Sequence, residues 1–245
     1  MTATVLSSAI SAAGGGGLGS VGALMAYGEA FAFSREQEAE ADSKGLYYAT
    51  QAGFAPTAGA HIWENLLAEL EASDHEEVTR EGQSGGFLGT HPDIEDRIEA
   101  LRGHASGNDQ AEHDAHEYRA VIRPFLKDWL DMQIVRRDYG ATLHLVDRLT
   151  ALETDLGVLN YARGRVYALR DEDGDADAAL EAYLAAVTYA DAPADAWHGL
   201  GELYRADGLD QEAADAFATY LDHAPDARDR YLIQSLITEL RGTSE

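Results

Sequence analysis

Residues Ser34–Gly45 read SREQEAEADSKG, and this stretch predicts a helix. Ser34 and Gln37 fit the capping-box pattern, in which the two residues exchange hydrogen bonds with the backbone at a helix start, so we expect the helix to begin at Ser34. Glu38 and Asp42 then lie four residues apart on one face. We expect the helix to end at Gly53, because glycine readily adopts the left-handed conformation of a helix end.

Periodic apolar residues predict more helices on either side of this stretch. Val21–Phe33 reads as a separate apolar helix before it, and Pro56 opens a helix after it, with leucines at helical spacing. A short helix over Asp93–Leu101 follows a polar, glycine-rich loop, Ser73–Thr90. No convincing strand run occurs, so we predict an all-α fold.

The charge balance excludes several classes of partner. The formal net charge is −26 and only Lys44 and Lys127 are lysines, so there are too few cations to neutralise the phosphates of a nucleic acid. The same balance argues against electrostatic docking on an anionic bilayer. The chain has no cysteine, which excludes disulfides and cysteine-ligated zinc.

The first residues, Met1–Gly28, carry no charge. Their length raises the question of a membrane segment, but GGGGLG and several small residues dilute the hydrophobicity. We expect a packed helical hairpin here; contact with a membrane and the remnant of a longer element are the alternatives.

The second half of the chain contains an internal repeat. Ala141, Leu145 and Leu149 recur as Ala179, Tyr183 and Val187, and again as Ala213, Phe217 and Leu221; Gly164 and Tyr167 recur as Gly201 and Tyr204. A period of about 34 residues with small residues ahead of aromatic ones resembles the tetratricopeptide repeat. The glycines would let paired helices pack closely, and each unit would need its neighbours to bury its apolar face.

The first half of the chain carries a set of motifs in a particular order. These are Ser34–Gly45, then Ala52-Gly53-Phe54-Ala55-Pro56, then Thr90-His91-Pro92, then Arg97-Ile98-Glu99-Ala100-Leu101. Their order and spacing resemble the zinc metallopeptidase family of the CAAX prenyl proteases and HtpX-like stress proteases, a gluzincin type. The bacterial branch in which tetratricopeptide repeats follow the peptidase is the most similar.

This resemblance implies roles for four residues. Glu38 matches the family's zinc-ligand glutamate, and Asp42 matches the aspartate that accepts a hydrogen bond from a ligand histidine. His91 lies where some relatives place a histidine near the metal; alternatively it is a turn residue before Pro92. Arg97 could pair with a site carboxylate or form a surface salt bridge. Without the resemblance, Glu38 and Asp42 would read as a solvated acidic helix face.

One part of the family pattern is missing from the chain. The motif HExxH, which supplies two histidine ligands and the general base, does not occur in the 245 residues. The motif HDAHE at His113–Glu117 has the wrong order to replace it, and no other histidine shows ligand spacing. We therefore expect no catalytic residue in this chain, one zinc ligand instead of three, and a truncated peptidase that is inert alone.

The predicted organisation is a partial metallopeptidase domain over residues 1–103, a linker over 104–116 and a tetratricopeptide-like domain over 117–245. The resemblance implies a zinc-dependent metalloendopeptidase that cleaves protein or peptide substrates in quality control of the bacterial envelope, in the periplasm or at its membrane. The repeats would bind a protein partner. The alternative is a non-catalytic binding or scaffold module that retains a peptidase remnant.

Overall fold

All regular structure in the described part of the chain is helical. The computed structural model describes residues 19–76, 94–104 and 115–242, which form ten helices and no strand. This confirms the predicted all-α fold. Within these ranges, none of the helices combines the length and the hydrophobicity needed to cross a bilayer.

The chain divides into two compact units. The first contains Met1–Leu67 and Arg80–His113, and the second contains Ala68–Thr79 and Asp114–Glu245. The predicted linker, residues 104–116, falls mostly outside the described residues, so its bounds stay a prediction.

The first unit contains α1 (Gly19–Gln51), the start of α2 (Ala58–Glu71) and α3 (Ile94–His104). The helix α1 ends where the sequence predicts, since Gly53 follows it with φ 89°. The small core joins one buried residue from each helix, Leu46, Ala60 and Leu101, with Trp63 packed against them. On α3, Ile98 and Leu101 are buried, as their spacing predicts.

The predicted helix start at Ser34 is wrong. The helix α1 runs without a break from Gly19 to Gln51, so Ser34 lies in its interior and does not cap it. The capping-box pattern is local, and a serine followed by glutamate and glutamine also fits a continuous helix. The alanines and glutamates on both sides are strong helix formers, and they favour continuation.

The second unit contains seven described helices: α4 (Ala115–Val135), α5 (Tyr139–Thr150), α6 (Leu156–Arg170), α7 (Asp175–Ala186), α8 (Asp195–Ala206), α9 (Asp210–His223) and α10 (Arg230–Gly242). Each helix packs against the next one along the chain, and α4 and α8 both also contact α6. Buried side chains form three successive clusters along this row of helices, centred on Val146, Tyr183 and Phe217.

The glycines of the internal repeat make equivalent contacts. A Cβ on Gly164 of α6 would lie 2.7 Å from Cδ1 of Tyr183 on α7, and a Cβ on Gly201 of α8 would lie 2.6 Å from Cε1 of Phe217 on α9. Tyr183 and Phe217 occupy equivalent repeat positions. The close packing of paired helices at these glycines, which the repeat predicts, is therefore present in both pairs.

A hydrogen-bonded connection ties the segment after α2 to the start of α5. Asp138 accepts hydrogen bonds from the Ser73 hydroxyl at 2.7 Å, from the Asp74 backbone N–H at 3.0 Å and from the Ala141 backbone N–H at 3.4 Å. Asp74 in turn accepts from the Gly140 backbone N–H at 2.7 Å. Although desolvation by burial opposes ionisation of Asp138, these hydrogen bonds outweigh it and lower the pKa of its carboxyl.

Candidate functional site

The two carboxylates that the motif singles out share one cation. Arg97 on α3 donates to both oxygens of Asp42, from Nε at 2.7 Å and from Nη2 at 2.6 Å, and its Nη1 donates to Glu38 at 3.1 Å. The bidentate geometry matches the planar guanidinium to the Asp42 carboxylate. Arg97 therefore pairs with both carboxylates, and the assignment of the three residues to a functional site stays a prediction.

An aromatic ring covers the other side of this cation. The guanidinium carbon of Arg97 lies 3.6 Å from the centroid of the Trp63 ring on α2. The side chains of Arg97, Glu38 and Asp42 are 15%, 22% and 17% exposed, so the cluster is mostly shielded from solvent. The low exposure strengthens the ion pairs of Arg97 compared with an exposed pair, and stacking on Trp63 adds a cation–π attraction.

The core of the first unit fixes the position of Arg97. Ile98 and Leu101 anchor α3 on the interior side, which directs Arg97 towards α1. On α2, Gly59 allows a close approach, because a Cβ there would lie 3.2 Å from Cδ1 of Leu46 and 3.5 Å from Cδ2 of Leu101. The spacing of Ile98 and Leu101 predicted their burial, but no pattern in the sequence indicated Trp63.

Two pockets border the Asp42–Arg97 pair. One, of about 350 Å³, has both residues in its wall together with Arg35, Ser43 and His104. The other, of about 390 Å³, is lined by Asp42 together with apolar residues that include Leu46, Phe54, Ile62 and Trp63. Asp42 lines both pockets, so the cluster of Glu38, Asp42 and Arg97 borders each of them.

The described residues do not form a complete zinc site. A catalytic zinc needs three protein ligands, and no group of three histidine, aspartate or glutamate side chains in the described part of the chain is placed to hold an ion. Glu38 could supply one carboxylate, whereas both oxygens of Asp42 accept hydrogen bonds from Arg97. His91, and the side chains of His113 and His116 in the HDAHE motif, lie outside the described residues.

Other histidines make contacts typical of structural residues. His198 packs edge-on against Phe217 and Tyr220, with ring centroids 5.5 Å and 5.1 Å apart. His104 lies with Nδ1 2.6 Å from the Ala100 carbonyl oxygen.

Comparison with known families bears on the first part of the chain. Residues 3–105 match peptidase family M48. The matched segment includes Glu38, Asp42 and Arg97, so the carboxylate cluster lies in a stretch similar to a family of peptidases. The match covers less than half of the chain and ends before α4. No curated protein and no solved structure gives a significant match to the chain.

Proposed function

We propose that the first unit is part of a zinc-dependent metalloendopeptidase of the CAAX prenyl protease and HtpX-like type, acting on proteins or peptides. The observation that carries this proposal is the paired placement of Glu38 and Asp42 on one face of α1, held by Arg97, inside the segment that matches peptidase family M48. In this proposal Glu38 contributes one zinc ligand. Asp42, fixed by Arg97, is the positioning carboxylate beside it.

The 245 residues lack the two histidines and the general base of HExxH, so we propose that they do not hydrolyse peptides by themselves. The resemblance also supports a role in quality control of the bacterial envelope.

The deciding experiment determines the full coding sequence and then tests the encoded protein for peptidase activity. The coding DNA should be read in frame upstream of Met1, and the longest encoded protein assayed on an unfolded protein substrate with and without zinc. We expect an upstream HExxH, zinc-dependent cleavage, and its loss in Glu38→Gln.

Glu40→Gln is the matched control for this assay, because Glu40 lies two residues away on α1, pairs with Lys44 and is 63% exposed. Cleavage that survives Glu38→Gln, or falls equally in Glu40→Gln, would rule out Glu38 as a ligand.

A second candidate function rests on the second unit. The equivalent contacts of Gly164 with Tyr183 and of Gly201 with Phe217 favour a tetratricopeptide-like module that binds a protein partner without a metal. The aromatic side chains of this unit support it from inside, because Tyr183 is buried and Trp197 and Tyr204 pack against the core clusters. Peptide-array binding that is insensitive to zinc and to Glu38→Gln, with no cleavage by any longer form, would favour this function.

A further inference from the structure

A surface pocket of about 430 Å³ lies between α8 and α10 of the second unit. It falls outside the segment that matches the peptidase family and shares no residue with the Glu38–Asp42–Arg97 cluster. Its wall combines charged and apolar side chains, which include His198, Glu202, Arg205, Asp229, Leu236 and Glu239. A concave site that combines an apolar wall with a few charged groups is typical of a binding pocket.

The helix α10 supplies the apolar wall of this pocket. Its core face is held by Ile233, which is buried in one cluster with Phe217 of α9. Leu232, Leu236 and Glu239 follow one another at intervals of four and three residues, so they share a neighbouring face of the helix. Leu232 is 70% exposed, and it lines the pocket together with Leu236. The pocket therefore offers apolar surface that nothing in the described part of the second unit covers.

The charged groups of the pocket leave it negative. Three carboxylates and one guanidinium line it. The guanidinium of Arg205 is paired within its own helix, because its Nη2 lies 2.7 Å from Oε2 of Glu202. Glu202, and to a smaller extent Glu239, raise the pKa of Arg205, so Glu239 lies close enough to act on this cation. The charge of Arg205 is therefore matched by Glu202, and the carboxylates of Asp229 and Glu239 are in excess.

The two excess carboxylates lie far apart along α10. Asp229 stands at the start of the helix, where its carbonyl accepts from the Ile233 N–H at 3.0 Å, and Glu239 follows ten residues later. The helical rise places them about 15 Å apart along the axis. The Tyr220 hydroxyl donates to the Asp229 carboxylate at 2.9 Å and fixes its position. Leu232 and Leu236 lie between these two charges, so the order along the pocket is acidic, apolar, acidic.

We propose that this pocket binds an extended segment of a partner protein in which an apolar residue stands between two basic residues. Side chains four residues apart in an extended chain point to the same side and lie about 13 Å apart, which matches the separation of Asp229 and Glu239. The apolar residue halfway between them also points to that side and meets Leu232 and Leu236. The proposal rests on the second candidate function, the binding of a protein partner, and is independent of the peptidase.

The test uses three short peptides and the full chain. The first peptide is Arg-Ser-Leu-Ser-Arg with blocked ends, and the other two carry glutamine or glutamate in place of both arginines. Titrations followed by the amide signals of the protein should be run at about 150 mM salt, where attraction between charges is screened beyond about 8 Å. We expect the arginine peptide to shift signals of α8 and α10. The glutamine peptide should bind at least about ten-fold more weakly, and the glutamate peptide should not bind.

A matched pair of variants separates this pocket from the general attraction of an acidic chain for cations. Glu239→Gln should weaken the arginine peptide by about three-fold or more, whereas Glu181→Gln removes the same charge from an exposed position on α7 and should leave its affinity unchanged. Both side chains are exposed, so circular dichroism should show unchanged helix content.

Three results would overturn the proposal: no binding of the arginine peptide, equal weakening in both variants, or shifts that lie outside α8 and α10. Partner peptides that bind the chain and are insensitive to Glu239→Gln would retain the second candidate function but exclude this pocket as its site.

Discussion

Gly199 of α8 lies so close to Tyr183 of α7 that a Cβ on the glycine would be 2.5 Å from Cζ of the ring. The same ring lies against Gly164 of α6. Tyr183 is thus held between glycines of two different helices, one from its own pair and one from the next. The ring links consecutive helix pairs of the second unit, and this makes the two glycines sensitive positions.

We expect Gly164→Ala and Gly199→Ala each to destabilise the protein by about 1–3 kcal/mol, because a methyl group would overlap the Tyr183 ring in a packed core. Urea denaturation followed by circular dichroism measures this. Gly45→Ala is the control, since Gly45 is also inside a helix but a Cβ there has no neighbour within 4 Å; it should stabilise by up to about 1 kcal/mol. Equal effects of all three would contradict the close contact with Tyr183.

Arg97→Gln should destabilise the first unit by about 2 kcal/mol, since it leaves two shielded carboxylates without their shared cation. Hydrogen exchange of peptides from α1 and α3 would locate the loss. Arg102→Gln on the same helix is the control, because the Arg102 side chain is 64% exposed in its ion pair with Glu64 and exposed pairs contribute under about 1 kcal/mol. A similar loss of stability in both variants would show that the shielded Arg97 ion pairs contribute no more than an exposed ion pair.

Asp138 should make the free energy of unfolding decrease as the solution becomes acidic. Its pKa is lowered in the folded protein, so its contribution is complete above the pKa of the unfolded chain and is lost as the pH falls through the lower folded value. Asp138→Asn keeps a capping side chain but removes this charge, so the decline in unfolding free energy below about pH 4 should become shallower. Asp207→Asn, at an exposed position, should follow the wild-type curve.

Tyr161 should make the free energy of unfolding depend on pH in the alkaline range. Burial, and next the nearby Asp131 carboxylate, raise the pKa of its phenol to about 12. Its contribution to stability is therefore complete below the unfolded pKa of about 10 and is lost as the pH rises towards 12. In Tyr161→Phe this decline should be weaker between pH 10 and 12, measured by urea denaturation. An unchanged slope would contradict a buried, protonated Tyr161.

Sequence patterns predicted those parts of the fold that depend on short-range spacing. The burial of Ile98 and Leu101 and the end of α1 at Gly53 follow from local rules, and the glycine–aromatic contacts follow from comparing one repeat with the next. The supposed start at Ser34 shows the limit of such rules. A capping-box sequence is compatible with a helix start, but it does not force the helix to start at that residue.

The candidate site shows a second limit. Glu38, Asp42 and Arg97 were singled out by the resemblance, because spacing alone makes the two carboxylates a solvated helix face and leaves Arg97 with either of two roles. Trp63, which covers that arginine, belongs to no motif at all. Contacts between distant segments depend on how α1, α2 and α3 pack, and spacing within one helix carries no information about this.

The unbroken course of α1 has a mechanical consequence. A helix of 33 residues is a rod of about 50 Å, and it bends little without proline or a bulge. Glu38 and Asp42 lie on the same rod as the uncharged segment that begins at Gly19. Any force that tilts or turns that segment is therefore transmitted to both carboxylates together, so the helix can act as a lever on the Arg97 cluster.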